Sequence, residues 1–210
     1  MKRLLLLLAA VLFVHFVYGQ TNTFPSSGNV GIGTASPTKK LDIVGDGVNL
    51  ENTTHANLHG IIYKAGVSFI STFNYGDNGT VTTSGGNTFI GVNAGNFTMG
   101  DTATSAAQAS YNTGVGTAVL RRNTTGHHNT GIGYASLEYN TTGANNTASG
   151  YEALVNNTTG ANNTANGYEA LVHNTTGNDN SAIGYTALVN NTTGTNNTAN
   201  GFEALYHNIT

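Results

Sequence analysis

From Asn87 onward the apolar and polar residues return in a fixed phase. With an Asn as position one of each copy, Gly occupies position five at Gly116, Gly133, Gly150, Gly167, Gly184 and Gly201, each 17 residues after the last. Leu occupies position nine at Leu120, Leu137, Leu154, Leu171, Leu188 and Leu205. The opening Asn recurs as Asn112, Asn129, Asn146, Asn163, Asn180 and Asn197, and Asn-Thr-Thr-Gly closes each complete copy, as in Asn157-Thr158-Thr159-Gly160. An earlier copy begins at Asn87. It carries an eight-residue insertion and has Gly95 where Leu belongs, so it is expected to form an atypical capping turn.

Helical repeats need roughly 33 to 47 residues to close a hairpin, so 17 is too short. Asn, Thr and Gly at this density also disfavour helix interiors. The period suits one coil of two short strands and two corners, with successive coils paired in parallel about 4.8 Å apart. The expected fold is therefore all-β, a parallel β-solenoid or β-roll. Phase then assigns faces. Leu at position nine is the one large, regularly apolar side chain per turn and should point inward. Position three is Gly or Ala throughout (Gly114, Gly131, Ala148, Ala165, Ala182, Ala199), which suggests close approach of two backbones. The Gly at position five should take a left-handed corner conformation. Position six carries Tyr134, Tyr151, Tyr168, Tyr185 and Phe202, expected to stack as an aromatic ladder. Glu152, Glu169 and Glu203 share position seven, where like charges on adjacent turns require a solvated face.

Upstream the pattern is less regular. Val30 and Ile32 alternate with Gly, Pro37 ends that segment, and Leu41-Asp42-Ile43-Val44 resumes a β pattern. Ile61 to Gly66 and Val67 to Phe73 read as two strands about a Gly turn, followed by the turn signal Gly76-Asp77-Asn78-Gly79. Residues 1–19 read as an export signal: Met1, Lys2 and Arg3, then an apolar run from Leu4 to Phe16, shorter than the ~20 residues that span a bilayer. The resulting organisation is a signal peptide at 1–19, an N-terminal segment at 20–47 that opens on the linker-like Thr21 to Gly28, a β-rich connecting region at 48–86, and the repeat array at 87–210.

Composition sharpens this picture. Charged residues make up 8% of the 210, against about 25% in an ordinary soluble domain. Without Lys2 and Arg3 of the leader, five basic residues face ten acidic ones, which offers nothing to nucleic acid or an anionic membrane. There is no Cys, hence no disulfide and no thiolate chemistry. A secreted chain of this kind must draw stability from stacking or association.

Candidate chemistry is sparse. No Ser sits in a nucleophile elbow, and Gly31-Ile32-Gly33 lacks the spacing of a dinucleotide site and precedes Pro37. Neither catalytic nor cofactor-binding nor metal-binding residues are assigned. His127 and His128 would face opposite sides of a strand. His173 and His207 share position eleven two turns apart, about 9.6 Å, too far to share an ion within one chain. Sequons such as Asn123-Thr124-Thr125 and Asn140-Thr141-Thr142 are read as Asn and Thr ladders bonding from turn to turn.

Two stretches carry a family resemblance. The repeated Asn-Thr-Ala-x-Gly-Tyr-x-Ala-Leu-x-x-Asn-Thr-Thr-Gly resembles the head repeats of trimeric adhesins of the YadA type, and Gly28-Asn29-Val30-Gly31-Ile32-Gly33-Thr34 with Pro37, Lys40, Leu41 and Asp42 is similar to the opening of bacterial tail-fibre-like proteins. The resemblance implies a left-handed β-roll, three chains side by side, a cell-surface or secreted location, and adhesion to a matrix protein or glycan. The turn here is longer than is typical of the adhesin head. The residues themselves point to a non-catalytic rod of about seven turns, ~34 Å long, with no small-molecule substrate and contacts that gain strength by repetition. The alternatives are an ice-binding solenoid or a passive spacer. An ice face needs threonines at i and i+2 on one strand, whereas Thr158-Thr159 and its equivalents are adjacent and lie at a corner.

Overall fold

The computed structural model describes residues 30–32, 41–43, 61–64, 67–71 and, continuously, 78–210. The leader at 1–19 and the linker at 21–28 lie outside the described residues. The chain divides into two units, Met1–Asn49 and Leu50–Thr210. In the first, β1 (Val30–Ile32) pairs in parallel with β2 (Leu41–Ile43), where Gly alternation and the resumed apolar pattern place strands on either side of Pro37.

In the second unit nine strands form one sheet in chain order. The first two, β3 (Ile61–Lys64) and β4 (Val67–Ser71), make an antiparallel hairpin with a bulge at Ile62/Tyr63. Then come β5 (Thr88–Ile90), β6 (Thr113–Val115), β7 (Thr130–Ile132), β8 (Thr147–Ser149), β9 (Thr164–Asn166), β10 (Ser181–Ile183) and β11 (Thr198–Asn200). These seven pair in parallel without slippage, so that Thr130 faces Thr147 and Gly131 faces Ala148. The described residues contain no helix. The architecture is the expected parallel β-solenoid, and the hairpin covers the free edge of β5 through antiparallel pairing with β4. Asn78 holds the turn ahead of the coil by accepting from the amides of Thr80 and Val81, both at 2.9 Å.

Each turn contains one strand, at positions two to four, and not the two expected. The reason lies in the dihedrals. Positions seven, nine and seventeen take positive φ, as in Glu152 (54°), Leu154 (52°) and Asn145 (59°), and this alternation breaks extended backbone. Turn-to-turn hydrogen bonding nevertheless continues around the coil. Glu152 donates to the Tyr134 carbonyl at 2.9 Å, towards the preceding turn, and Leu154 donates to the Ala170 carbonyl at 3.0 Å, towards the following one. The backbone is thus satisfied without a second strand.

Position five does adopt positive φ, from 124° at Gly133 to 146° at Gly167. It is also where backbones meet. A Cβ on Gly150 would sit far inside contact distance of the Gly167 carbonyl, and the other inner turns repeat this. Position three, expected to be that close approach, is small for a different reason: it faces the interior. A Cβ on Gly114 would press on the Phe89 ring and one on Gly131 on the Val119 side chain, while Ala148, Ala165 and Ala182 are fully buried.

The apolar interior is a column of Leu120, Leu137, Leu154, Leu171 and Leu188, all fully buried, beside columns of Ala at positions three and eight. Each Leu contributes roughly 1.5–3 kcal/mol by burial. Leu205 departs from its expected inward place and is 48% exposed. In the first copy, where Gly95 replaces Leu, the fully buried Phe89 and Met99 fill the space.

Candidate functional site

Two Asn columns, positions one and twelve, run inside the coil, and both are fully buried in the inner turns. In column twelve Asn157 donates to Asn140 Oδ1 at 2.8 Å, and its own Oδ1 accepts from Asn174 at 2.9 Å. Its amide also donates to the Gly160 carbonyl at 2.9 Å. Column one approaches the same oxygen, with Asn146 donating to Gly160 at 2.8 Å. In turn, Asn146 Oδ1 accepts the main-chain N–H of Asn163 at 2.9 Å. One carbonyl per turn therefore ties both ladders together, so that buried amides that would otherwise be costly are satisfied. Thr hydroxyls add a third ladder, as when Thr158 donates to the Thr175 carbonyl at 2.9 Å. The sequon threonines and asparagines thus bond from turn to turn as expected, and Asn123 and Asn140, being wholly buried, cannot carry a glycan in the folded coil.

The outward columns lie on positions two, four and six, joined at position seven by Glu152, Glu169 and Glu203. The expected aromatic ladder is present. Tyr134–Tyr151, Tyr151–Tyr168, Tyr168–Tyr185 and Tyr185–Phe202 stack with centroids 5.2, 5.1, 5.2 and 5.1 Å apart and planes within 14° of parallel. The tyrosines are 41–49% exposed, far more open than structural tyrosines in a core. Glu152 and Glu169 lie half-buried alongside, and Glu203 is exposed. The Tyr151 phenol is pushed up to about 12, first by its hydrogen bond to Glu152, then by desolvation and neighbouring charge. Tyr168 is raised in the same way, with Glu169 as the leading cause. Glu152 and Glu169 thus lie beside the Tyr151 and Tyr168 phenols on a face that stays open to solvent, while Glu203 follows Phe202, which has no hydroxyl.

Position two forms a rank that sequence reasoning overlooked. Thr88, Thr113, Thr147, Thr164 and Thr198 are exposed on the parallel sheet, and Thr130 and Ser181 are half-buried in the same rank. The signal was the period-two alternation Thr-Gly-Val or Thr-Ala-Ser, which sends positions two and four to the same side. Position four carries exposed Ile90, Val115, Ile132 and Ile183, with Ser149, Asn166 and Asn200 in the remaining turns.

His127 and His128 do not face opposite sides. They lie at a corner where φ of His128 is +56°, which brings their Nδ1 atoms to 2.8 Å and their rings to 5.1 Å. Burial, then His128, lowers the pKa of His127. Nearby, Arg121 pairs with Glu138, its Nε donating to Oε1 at 3.0 Å, and Arg122 lies 4.8 Å over the Tyr139 ring. The insertion of the first turn borders an open depression of about 360 Å³ lined by Asn93, Asn96, Phe97, Thr98 and Arg121. Among the described residues no group of three or more His, Asp or Glu is placed to hold a metal ion. No family model, curated protein or solved structure matches the chain.

Proposed function

We propose that this protein is a secreted, non-catalytic structural rod of the bacterial cell surface that attaches by many weak, equivalent contacts. The observation that carries this reading is the repetition of the outward Thr rank and ring ladder, which present equivalent side chains in register from turn to turn. Such a surface has no convergent polar walls of the kind that enclose a small molecule. Its contacts are weak singly and strong together. Resemblance to adhesin head repeats points the same way and adds association of three chains. The slender apolar interior, one Leu and two small residues per turn, supports that association. Light scattering on the folded protein tests it.

The attachment test uses the register. Deleting residues 146–196, which are three whole turns, rejoins Asn145 to Asn197 in phase. The shortened rod should fold and be retained much more weakly on the surface that holds the parent. Equal retention would assign binding to the region before Asn87 and make the repeats a spacer.

The outward Thr rank favours a second reading, an ice-binding sheet. Its position-four partner rank mixes Val, Ile, Ser and Asn, so threonines do not fill i and i+2 on any strand. Thermal hysteresis of the purified protein decides between the two.

A further inference from the structure

We propose that the ring ladder from Tyr134 to Phe202, together with its polar flanks, is a binding strip for a neutral, extended, β-1,4-linked polysaccharide chain lying along the rod. The inference rests on the multivalent-attachment reading and names its partner. Three observations carry it.

The first is spacing. The rings recur every 5.1–5.2 Å. An extended β-1,4-linked pyranose chain advances by nearly this length per sugar, so one ring can meet one sugar without accumulating mismatch. The rings turn their faces to one another, so the ladder meets a sugar with ring edges and the tyrosine phenol oxygens; successive sugars are turned over, yet each brings equatorial hydroxyls to that edge. A polypeptide strand repeats at about 3.3 Å and cannot stay in step.

The second is the chemistry of the flanks. Position five is Gly, so the side chains beside each ring come from positions four and seven. Around Tyr151 and Tyr168 these are Ser149 and Asn166 on one side and Glu152 and Glu169 on the other. They are donors and acceptors suited to the equatorial hydroxyls of a sugar. The two carboxylates follow their rings directly in the chain, which sets acceptor and ring side by side in both turns.

The third is charge. Residues 129–210 contain no Lys or Arg and five acidic residues, so anionic polymers such as sulfated glycans and nucleic acids are repelled. A neutral polyhydroxylated chain meets no such cost. Stacking also fixes the rings before binding, so little side-chain entropy is lost when a ligand lands.

The experiment is depletion of the full chain from solution by microcrystalline cellulose and by chitin, with granular starch and heparin beads as controls. Retention is expected on cellulose or chitin and not on starch or heparin. Tyr151→Ser/Tyr168→Ser should weaken retention by at least about tenfold, because loss of two central rings also breaks the avidity of the strip. Thr147→Val/Thr164→Val, which alters the neighbouring rank, should leave retention unchanged. Circular dichroism melts confirm that both variants fold. No retention on either β-1,4 glycan overturns the proposal, and so does undiminished retention of the folded Tyr variant. Dissociation of an oligomer by the Tyr substitutions would instead make the ladder a contact between copies and likewise overturn it. The attachment reading fails separately, when deletion of residues 146–196 leaves retention on every surface unchanged.

Discussion

Removing the Asn157 side chain should damage this fold about as severely as removing a core leucine. Asn157→Ala deletes the amide that bonds Asn140 Oδ1 at 2.8 Å and the oxygen that receives Asn174 at 2.9 Å. The Gly160 carbonyl keeps a partner, because Asn146 still donates to it at 2.8 Å. Two buried polar groups are therefore left wanting, the Asn140 oxygen and one N–H of Asn174. At about 1–3 kcal/mol each, the loss comes to roughly 2–6 kcal/mol. The control is Asn166→Ala, an exposed amide on β9, expected within about 0.5 kcal/mol of the parent. Urea unfolding followed by far-ultraviolet circular dichroism measures both. Because each turn touches only its neighbours, the lesion should also loosen coupling between the halves of the stack and broaden the transition. Asn157→Asp adds a pH signature. Burial raises the pKa of the new carboxyl above its unfolded value near 3.9, so stability present below that value is lost as pH rises through the folded pKa. Equal losses in Asn157→Ala and Asn166→Ala would refute the reasoning and make the interior amides incidental to stability.

The same unfolding assay should separate Leu154→Ala, which empties a fully buried site at a cost of about 2–5 kcal/mol, from Leu205→Ala, where the side chain is 48% exposed and the cost should be under about 1 kcal/mol. Gly150→Ala should destabilise by at least about 2 kcal/mol, since φ of 144° and the Gly167 carbonyl both exclude a Cβ. Thr186→Gly should stabilise by about 1 kcal/mol, because Thr186 is a β-branched residue at φ 48° whose buried hydroxyl has no partner. Ultraviolet titration should show Tyr151 ionising near 12, against an ordinary 10.0, and Glu152→Gln should bring the midpoint down. The folded value is the higher one, so the associated stability is complete below pH 10 and is lost as pH climbs towards about 12.

Period and phase made much of this fold legible. A 17-residue repeat excluded helix, the Leu phase located the core, and the run of aromatics at position six announced the ladder. What stayed hidden depended on dihedrals and on stacking. Leu154 and its equivalents sit at φ near 52°, a conformation that bulky residues avoid, and no propensity argument leads there. That conformation replaces the expected second strand with a tight, alternating backbone. His127 and His128 were misplaced for the same reason, a positive φ at a corner taken for a strand. Asn at positions one and twelve reads as a surface residue by its usual behaviour, and only the turn above supplies the partners that make it an interior one. The Thr rank was visible as alternation but was outweighed by the more conspicuous Thr-Thr pairs.

Comparison between turns separates what folding requires from what the surface adds. The Gly at position five and the Asn at positions one and twelve recur in every regular turn, and each has a structural cause in the stack. At position six the rings stack from turn to turn, yet the coil also forms without them. The first two copies carry Val92 and Thr117 there and pair into the same sheet in the same register. Folding therefore does not need a ring at this position, and an exposed aromatic column is a liability in a chain with so little charge to keep it in solution. Five successive turns nevertheless carry Tyr or Phe at that position. A feature that the coil does not require, that solubility opposes and that runs without interruption is most economically explained by what it touches. The flanks sharpen this. Position four is apolar beside Tyr134 and Tyr185 but polar beside Tyr151 and Tyr168, where position seven is Glu. The middle of the ladder is thus the best furnished part for a hydroxyl-bearing chain, which is why the test substitutions belong at Tyr151 and Tyr168 and not at its ends.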